Sequence, residues 1–331
     1  THPAQRFAWA VLDVLREGGV GGTPFPAPRT VVHLSPLFFR SQGCEAFLAH
    51  AASTAARAGT LHFLLDRDSW LTDGLEPWEC RDVTIQQVTV NMPRAVYRAG
   101  GHDPAEWRGR AELTDRLYRE LERVIQTAAH AHAQKRDFVE RLFGMRSVGP
   151  FGLLTVLRND RPYVDLQRAR YTIAPVGLND CTRAVTSYSY HESDEARAFS
   201  MTLMEMVRYI CAEWSDRLGM QLVPAHTNDP AVGRRFALLD LEMYTEGARA
   251  ILAPEPKTQD LRYTPGLRLP DAEPLNPMER CRLEGPFHEI VPAGATSVVR
   301  MPDTETSQRS IADFLRKAYL QTGAYRIAVL R

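Results

Sequence analysis

The sequence lacks the features that mark several common classes of protein. In its 331 residues no apolar run reaches about 18 residues, so no transmembrane helix is predicted. Lys+Arg and Asp+Glu are both 40, and this formal net charge of +0 argues against binding DNA through a basic excess. The five cysteines include no Cys-x-x-Cys pair, which argues against a disulfide framework and a structural zinc site. We therefore expect a cytoplasmic protein with no metal within this chain and with no DNA or membrane partner.

Several catalytic signatures are also missing. Lysine occurs only at positions 135, 257 and 317, and without a Gly-Lys-Ser/Thr sequence a Walker A loop is excluded. No Gly-x-Ser-x-Gly elbow and no His-Glu-x-x-His sequence is present. The glycines at positions 18–22 miss the dinucleotide-binding spacing and run into Pro24. What is present is a globular composition, since hydrophobic residues are 44% and charged residues 24%.

Hydrophobic periodicity predicts helices that alternate with strands. Helices are predicted over 4–17, 42–58, 104–143, 194–218, 229–242 and 307–321. Strands are predicted over 31–34, 61–65, 83–92, 153–157, 171–176, 220–225 and 325–330. Residues 253–295 are rich in Pro and Gly and are expected to be mostly irregular. The alternation favours an α/β fold, and since no convincing linker divides the chain, a single domain over 1–331 is predicted.

Polar side chains follow two of the predicted strands. Asn91 and Arg94 end the strand 83–92 on either side of Pro93, and Asn179 and Asp180 follow the strand 171–176. Barrel and open-sheet proteins place their ligands at such strand ends. A structural interpretation stays open beside the functional one. Pro93 can simply stop the strand, and Asn179 or Asp180 can cap a following helix.

The spacing of the cysteines and histidines alone gives little evidence for a catalytic or metal-binding role. Cys80 closes a long polar loop just before a strand, but a single cysteine is weak evidence for a nucleophile without a placed histidine or charge. Cys44 and Cys211 lie in predicted helices and are expected in the core. His130 and His132 lie two residues apart in a predicted helix, so they are expected to be solvated rather than a metal pair.

The order of a series of short segments gives stronger evidence about the protein's family than any of the single residues above. The segments are Phe25-Pro26-Ala27-Pro28, Cys80-Arg81, VTVNMPRAVY (88–97), Lys135-Arg136-Asp137-Phe138, TIAPVGLND (172–180), Pro224-Ala225, Arg235-Phe236-Ala237 with Asp240, LEGPFH (283–288) and Tyr325-Arg326-Ile327. In this order they resemble the anaerobic, class III ribonucleotide reductases of the glycyl-radical superfamily. The likeness runs from about residue 20 to residue 330, and the shared order is more specific than any single motif.

The resemblance implies part of a ten-stranded α/β barrel that reduces ribonucleoside triphosphates to deoxyribonucleotides. Cys80 matches the cysteine that becomes a thiyl radical and takes the 3′ hydrogen of the ribose. Asn91, Arg94, Asn179 and Asp180 would bind the substrate or support the site. The implied cofactor is an organic radical on a glycine outside this chain. The implied partners are a ribonucleoside triphosphate, a radical-S-adenosylmethionine activase, and a second copy of the chain or a partner chain that bears the radical glycine.

The sequence also departs from the family pattern. It shows no radical-glycine loop and no Cys-x-x-Cys zinc ligands, and Asp180 stands where glutamate is common. We therefore expect a barrel domain that is incomplete at both ends. Two alternatives stay open. One is a degenerate relative without radical chemistry that binds nucleotides or regulates a partner, and the other is a glycyl-radical-type enzyme with another substrate.

Overall fold

The structure, a computed structural model, describes most of the chain in nine ranges and one single residue. These are residues 3–25, 27, 29–67, 83–101, 104–107, 111–158, 160–252, 261–291, 294–301 and 308–330. The chain divides into two compact units. Unit 1 comprises Thr1–Asp73, Pro274–Glu289 and Thr296–Arg331, and unit 2 comprises Gly74–Glu273 and Ile290–Ala295. Each unit has its own sheet, and the single catalytic domain over 1–331 stays a prediction.

Helices and short strands alternate along much of the chain. The helices in the described ranges are α1 (Pro3–Glu17), α2 (Pro36–Arg40), α3 (Cys44–Ala58), α4 (Met92–Gly100), α5 (Ala111–Gly144), α6 (Leu178–Thr186), α7 (Asp194–Leu218), α8 (Pro230–Met243), α9 (Thr245–Ile251), α10 (Pro277–Ile290) and α11 (Gln308–Gln321). The strands are β1 (Thr30–His33), β2 (Leu61–Leu64), β3 (Thr84–Asn91), β4 (Leu157–Arg158), β5 (Arg161–Pro162), β6 (Arg170–Val176), β7 (Gln221–Pro224), β8 (Ser297–Arg300) and β9 (Arg326–Leu330).

Unit 1 is built on a four-stranded mixed sheet with the strand order β1-β2-β9-β8. The pairs β1/β2 and β8/β9 are parallel, and β2/β9 is antiparallel. Phe63 of β2 and Ile327 of β9 are neighbours in the register, and both lie in a core with Leu48 of α3 and Leu315 of α11. Since side chains alternate along a strand, one face of this sheet is covered by helices.

Unit 2 is built on a three-stranded parallel sheet with the order β3-β6-β7. Residues 171–176 of β6 are all buried, as expected for the central strand of a parallel sheet. Ile173 of β6 and Leu222 of β7 pack in one core with Ile125 of α5 and Val207 of α7. Together the two units confirm the α/β class, and the strands of the described ranges show no closed barrel.

Two segments differ from the sequence prediction. The predicted strand 153–157 is wrong, because Gly152–Thr155 forms a short 3₁₀ turn and only two residues of β4 follow it. The irregular interpretation of 253–295 is wrong over α10, which contains Pro286. Burial explains this helix, since Phe287 is fully buried and a Cβ on Gly285 would lie 2.7 Å from the backbone nitrogen of Ala324. Tertiary packing therefore overrides the local preference of Gly and Pro.

None of the helices in the part of the chain that the structure describes is long and apolar enough to cross a membrane.

Candidate functional site

The predicted site residues of unit 2 lie where its parallel strands end. Asn91 is the last residue of β3, Gly177 follows β6, and His226 lies two residues beyond β7. The three strands are parallel and adjacent, so their carboxyl ends meet at one edge of the sheet. This edge is where open α/β sheets bind their ligands.

Asn91 begins a helix as well as ending a strand. Its Oδ1 accepts a hydrogen bond from the backbone nitrogen of Arg94 at 3.1 Å, which makes Asn91 the N-cap of α4. Pro93 lies in the first turn, where a missing N–H costs nothing. The strand-stop prediction leaves out α4, although Asn followed by Pro two residues later is a helix-start signal.

Asp240 of α8 connects Asn91 and Arg94. Asn91 Nδ2 donates to Asp240 Oδ2 at 2.8 Å, and Arg94 Nε donates to Oδ1 at 2.6 Å. Arg94 Nη2 lies 2.5 Å from the same Oδ1. The carboxylate is fully buried, whereas the Arg94 side chain is 22% exposed. A buried carboxylate persists only when it is paired and hydrogen-bonded, and Asp240 meets both conditions.

Two tyrosines extend this network. Tyr263 Oη donates to Asp240 Oδ2 at 2.9 Å, and the hydroxyl oxygens of Tyr97 and Tyr263 are 2.7 Å apart. Since the Tyr263 hydrogen is directed to the carboxylate, Tyr97 donates to Tyr263. Burial raises the pKa of both tyrosines, so both stay protonated at neutral pH. In the sequence, Tyr97 and Asp240 stand only within segments that carry the family resemblance, and Tyr263 stands in none of them.

Asn179 and Asp180 lie in the first turn of α6 and have other partners. Asp180 Oδ2 accepts hydrogen bonds from Thr264 N at 2.7 Å and from Thr264 Oγ1 at 2.6 Å. Asn179 Nδ2 donates to Ser189 Oγ at 3.2 Å, and its Oδ1 accepts from Tyr190 N at 3.2 Å. Burial raises the pKa of Asp180, and the two bonds from Thr264 oppose that rise.

Gly177 occupies the N-cap position of α6, so neither Asn179 nor Asp180 caps the helix. Its φ of 78° is left-handed, and a Cβ there would lie 2.7 Å from Cδ of Pro93. The open alternative of an Asn179 or Asp180 cap is therefore wrong. A residue with a side chain would push α4 and α6 apart at their first turns.

One short segment joins the two pairs of predicted site residues. Tyr263 binds Asp240, the partner of Asn91 and Arg94, and the next residue, Thr264, binds Asp180. The carbonyl of Thr264 also accepts from Gly177 N at 2.9 Å. This segment therefore connects Asn91, Arg94 and Asp180, whereas Asn179 bonds to Ser189 and Tyr190 instead.

His226 completes the polar groups at this edge. Its Nδ1 accepts from Leu267 N at 3.1 Å, and its Nε2 lies 2.7 Å from Asn228 Oδ1. Because Nδ1 accepts, Nε2 carries the proton and donates to Asn228. Burial lowers the pKa of His226 to about 4, so the imidazole is neutral at pH 7.

Cys80, the predicted radical cysteine, lies outside the described residues. Cys211 is buried as predicted, and burial raises its pKa to about 12, which makes it an inert thiol. Cys44 is only half-buried, so the expectation that it belongs to the core is wrong.

The two histidines of α5 differ in burial. His130 is exposed, as predicted. His132 is fully buried, with its Nε2 3.0 Å from the carbonyl oxygen of Thr172, so its predicted solvation is wrong.

The described ranges contain no group of three or more His, Cys, Asp or Glu side chains placed to hold a metal ion.

Comparison with known proteins identifies the family. The family model described as anaerobic ribonucleoside-triphosphate reductase matches residues 1–329. The chain belongs to this family, whose fold is that of the glycyl radical enzymes. No curated protein matches the chain significantly.

Solved structures show the same fold at low sequence identity. An anaerobic ribonucleotide reductase matches with a TM-score of 0.69 and 13% identity, covering 98% of this chain and 48% of that one. The Thermotoga maritima anaerobic ribonucleotide reductase in complex with dATP and CTP matches with a TM-score of 0.68 and 15% identity, covering 98% and 50%. A glycyl radical enzyme from Archaeoglobus fulgidus matches with a TM-score of 0.60 and 14% identity, covering 99% and 49%. The chain thus spans about half the length of the structures it matches.

Proposed function

We propose that this chain supplies part of the ten-stranded catalytic barrel of an anaerobic ribonucleoside-triphosphate reductase. The observation that carries the proposal is the family match over residues 1–329. The fold is consistent with it, since two anaerobic ribonucleotide reductases match over 98% of this chain with TM-scores of 0.69 and 0.68. The Thermotoga maritima relative was solved with dATP and CTP, which makes ribonucleoside triphosphates the first substrates to test.

In this proposal Cys80 is the hydrogen-abstracting residue. As a thiyl it takes the 3′ hydrogen of the ribose and becomes a thiol, which opens the route to loss of the 2′ hydroxyl as water. The overall reduction takes two electrons from a formate or thiol reductant. The radical that oxidises Cys80 resides on a glycine that is not among these 331 residues.

We infer the roles of the other four predicted site residues from their hydrogen bonds and their exposure. Both ends of the Asn91 carboxamide are already bonded within unit 2, so we assign Asn91 to holding α4 in place. The Arg94 side chain is 22% exposed, and we assign it to an anionic group of the substrate. Asn179 and Asp180 are assigned to the sugar end of the site, where Asp180 is held by Thr264.

The partners in this proposal follow the family. They are a radical-S-adenosylmethionine activase, and a second copy of this chain or a chain that bears the radical glycine. The proposed compartment is the cytoplasm.

The direct test is anaerobic turnover of CTP by the 331-residue chain together with an activase, S-adenosylmethionine and a chain carrying the radical glycine. The expected product is dCTP, measured by chromatography, and omission of the 331-residue chain is the control. If CTP binds but the full-length polypeptide that contains these 331 residues reduces no ribonucleotide, the protein is a degenerate relative. If a non-nucleotide substrate is consumed instead, it is a glycyl-radical enzyme of another specificity. Either result would overturn the proposal.

A further inference from the structure

A short segment of unit 2, residues 263–268, holds two buried carboxylates of the candidate site. We call it the bridging segment. Tyr263 donates to Asp240, and Thr264 donates to Asp180 through both its backbone nitrogen and its hydroxyl. The positions of both carboxylates therefore depend on the backbone of this segment.

The second half of the bridging segment supports the first turn of α6. The carbonyl oxygen of Gly266 accepts from Leu178 N at 3.4 Å, and the carbonyl oxygen of Leu267 accepts from Tyr190 Oη at 2.9 Å. Tyr190 N in turn donates to Asn179 Oδ1 at 3.2 Å. Asn179 is therefore connected to the bridging segment through Tyr190.

His226 is the side chain on which the bridging segment packs. Its Nδ1 accepts from Leu267 N at 3.1 Å. Gly266 has a left-handed φ of 54°, and a Cβ on it would lie 2.3 Å from the same Nδ1. The backbone of Gly266 therefore lies directly against the imidazole, and a side chain at this position would overlap the ring.

Both ring nitrogens of His226 are bonded within unit 2. The bond from Leu267 N requires a neutral ring with its proton on Nε2, and the bond from Nε2 to Asn228 Oδ1 holds this tautomer. The imidazole has neither a lone pair nor a proton left for a substrate. Any role of His226 in a reaction therefore acts through the bridging segment.

We propose that His226 is a positioning residue for the reaction, and that its Nδ1 fixes the bridging segment and thereby Asp180 and Asn179. The proposal rests on the proposed function, which assigns these two residues to the sugar end of the site. Small displacements of groups around a reacting centre lower the rate strongly. Loss of the bond at Nδ1 is therefore expected to lower turnover more than substrate binding.

The test compares His226→Phe with His226→Asn in the reconstituted anaerobic system with CTP. Phenylalanine keeps a ring but has no acceptor, whereas the Oδ1 of asparagine is two bonds from Cβ, as Nδ1 of histidine is. His226→Phe is expected to lower kcat about tenfold or more with little change in KM for CTP. His226→Asn is expected to restore most of the lost kcat, which a role of the ring in packing alone would not produce.

A second measurement does not depend on turnover. Hydrogen–deuterium exchange of the 331-residue chain, read by mass spectrometry, reports local opening of the backbone. His226→Phe is expected to raise exchange in the bridging segment and in the first turn of α6, and His226→Asn is expected to raise it much less. The matched controls are His130→Phe and His130→Asn at an exposed histidine of α5, and they are expected to change neither exchange nor kcat.

The proposal is wrong if exchange in the bridging segment is the same in His226→Phe and wild type, or if His226→Phe forms dCTP at the wild-type rate. It is also wrong if His226→Asn loses as much kcat as His226→Phe. If wild type forms no dCTP, the proposed function fails, and the exchange measurement alone decides whether Nδ1 fixes the segment. If circular dichroism shows that His226→Phe does not fold, His226→Gln replaces it, because its amide lies one carbon further from the backbone than Nδ1.

Discussion

Arg94 and Asp240 form a buried ion pair across 146 residues of sequence, with Arg94 Nε 2.6 Å from Asp240 Oδ1. The pair ties the first turn of α4, at the carboxyl end of β3, to the last turn of α8. Asn91 and Tyr263 bind the second carboxylate oxygen. One carboxylate therefore holds both predicted site residues of the β3–α4 junction.

Asp240→Asn is expected to lower the free energy of unfolding by about 3 kcal/mol. The amide is nearly isosteric, but it leaves the Arg94 charge partly buried without its counter-ion. Urea denaturation measures this loss. Glu205→Gln, which breaks an exposed pair with Arg208, is the control and is expected to cost less than about 1 kcal/mol. Equal effects of the two substitutions would contradict a special role for Asp240.

Tyr263→Phe is expected to lower the free energy of unfolding by about 1–2 kcal/mol. The substitution removes the hydroxyl that donates to Asp240 and leaves Tyr97 without its acceptor in the buried network. Thermal and urea unfolding give the change. Tyr209→Phe, at a tyrosine that is 69% exposed, is expected to have no effect. A Tyr263 variant as stable as the Tyr209 variant would show that the two hydroxyls contribute nothing.

Gly177→Ala is expected to destabilise the chain more than Gly43→Ala. Both glycines have a left-handed φ, 78° and 82°, so each substitution costs roughly 1 kcal/mol of backbone strain. The Gly43 site has no atom within 4 Å of the added Cβ, whereas at Gly177 the Cβ meets Pro93. A further cost of about 1–3 kcal/mol is therefore expected at Gly177 alone. Identical urea midpoints for the two variants would contradict the close packing of α4 on α6.

His226 is expected to make stability fall as the pH is lowered from about 6.5 towards 4. Its pKa is lowered to about 4 in the folded chain, so between these values the unfolded state binds the proton and the folded state does not. This contribution to stability is fully present above pH 6.5, and about 3 kcal/mol of it is lost by pH 4. Urea midpoints at pH 7.5 and pH 5 measure the slope. His226→Gln should show a smaller loss than wild type, and an unchanged slope would assign the effect to other groups.

Local signals predict most of the elements. The bounds of α7 follow from Ser193, whose side chain accepts from Ala196 N, and from Gly219 in a left-handed C-cap. The same approach misses α10, because Gly285 and Pro286 discourage a helix that only burial of its neighbours supports. The spacing of Phe7, Leu12 and Leu15 in the sequence predicts one apolar face of α1, and Leu12 and Leu15 are buried, yet Phe7 is 73% exposed. Hydrophobic periodicity predicts which residues share one face of a helix. Tertiary packing determines which of these side chains are buried.

The candidate site also has features that the sequence predicts and features that only the structure shows. The positions of Asn91, Arg94, Asn179 and Asp180 at the ends of two strands could be predicted from the sequence, and their role in a site stays a prediction. Their partners could not be predicted, because Asp240 and Tyr263 are distant in sequence and belong to a helix and a loop without a local sign of burial. A buried network is a property of the folded chain, and its members come from segments that only the tertiary structure brings together.

The most direct test of this account compares Cys80→Ser with Cys44→Ser in the reconstituted anaerobic system. Cys44 is half-buried at the start of α3, and its replacement is expected to leave dCTP formation unchanged. Replacement of Cys80 removes the only atom assigned to hydrogen abstraction. The account predicts no dCTP from Cys80→Ser and wild-type amounts from Cys44→Ser. Retained dCTP formation by a folded Cys80→Ser chain would contradict it.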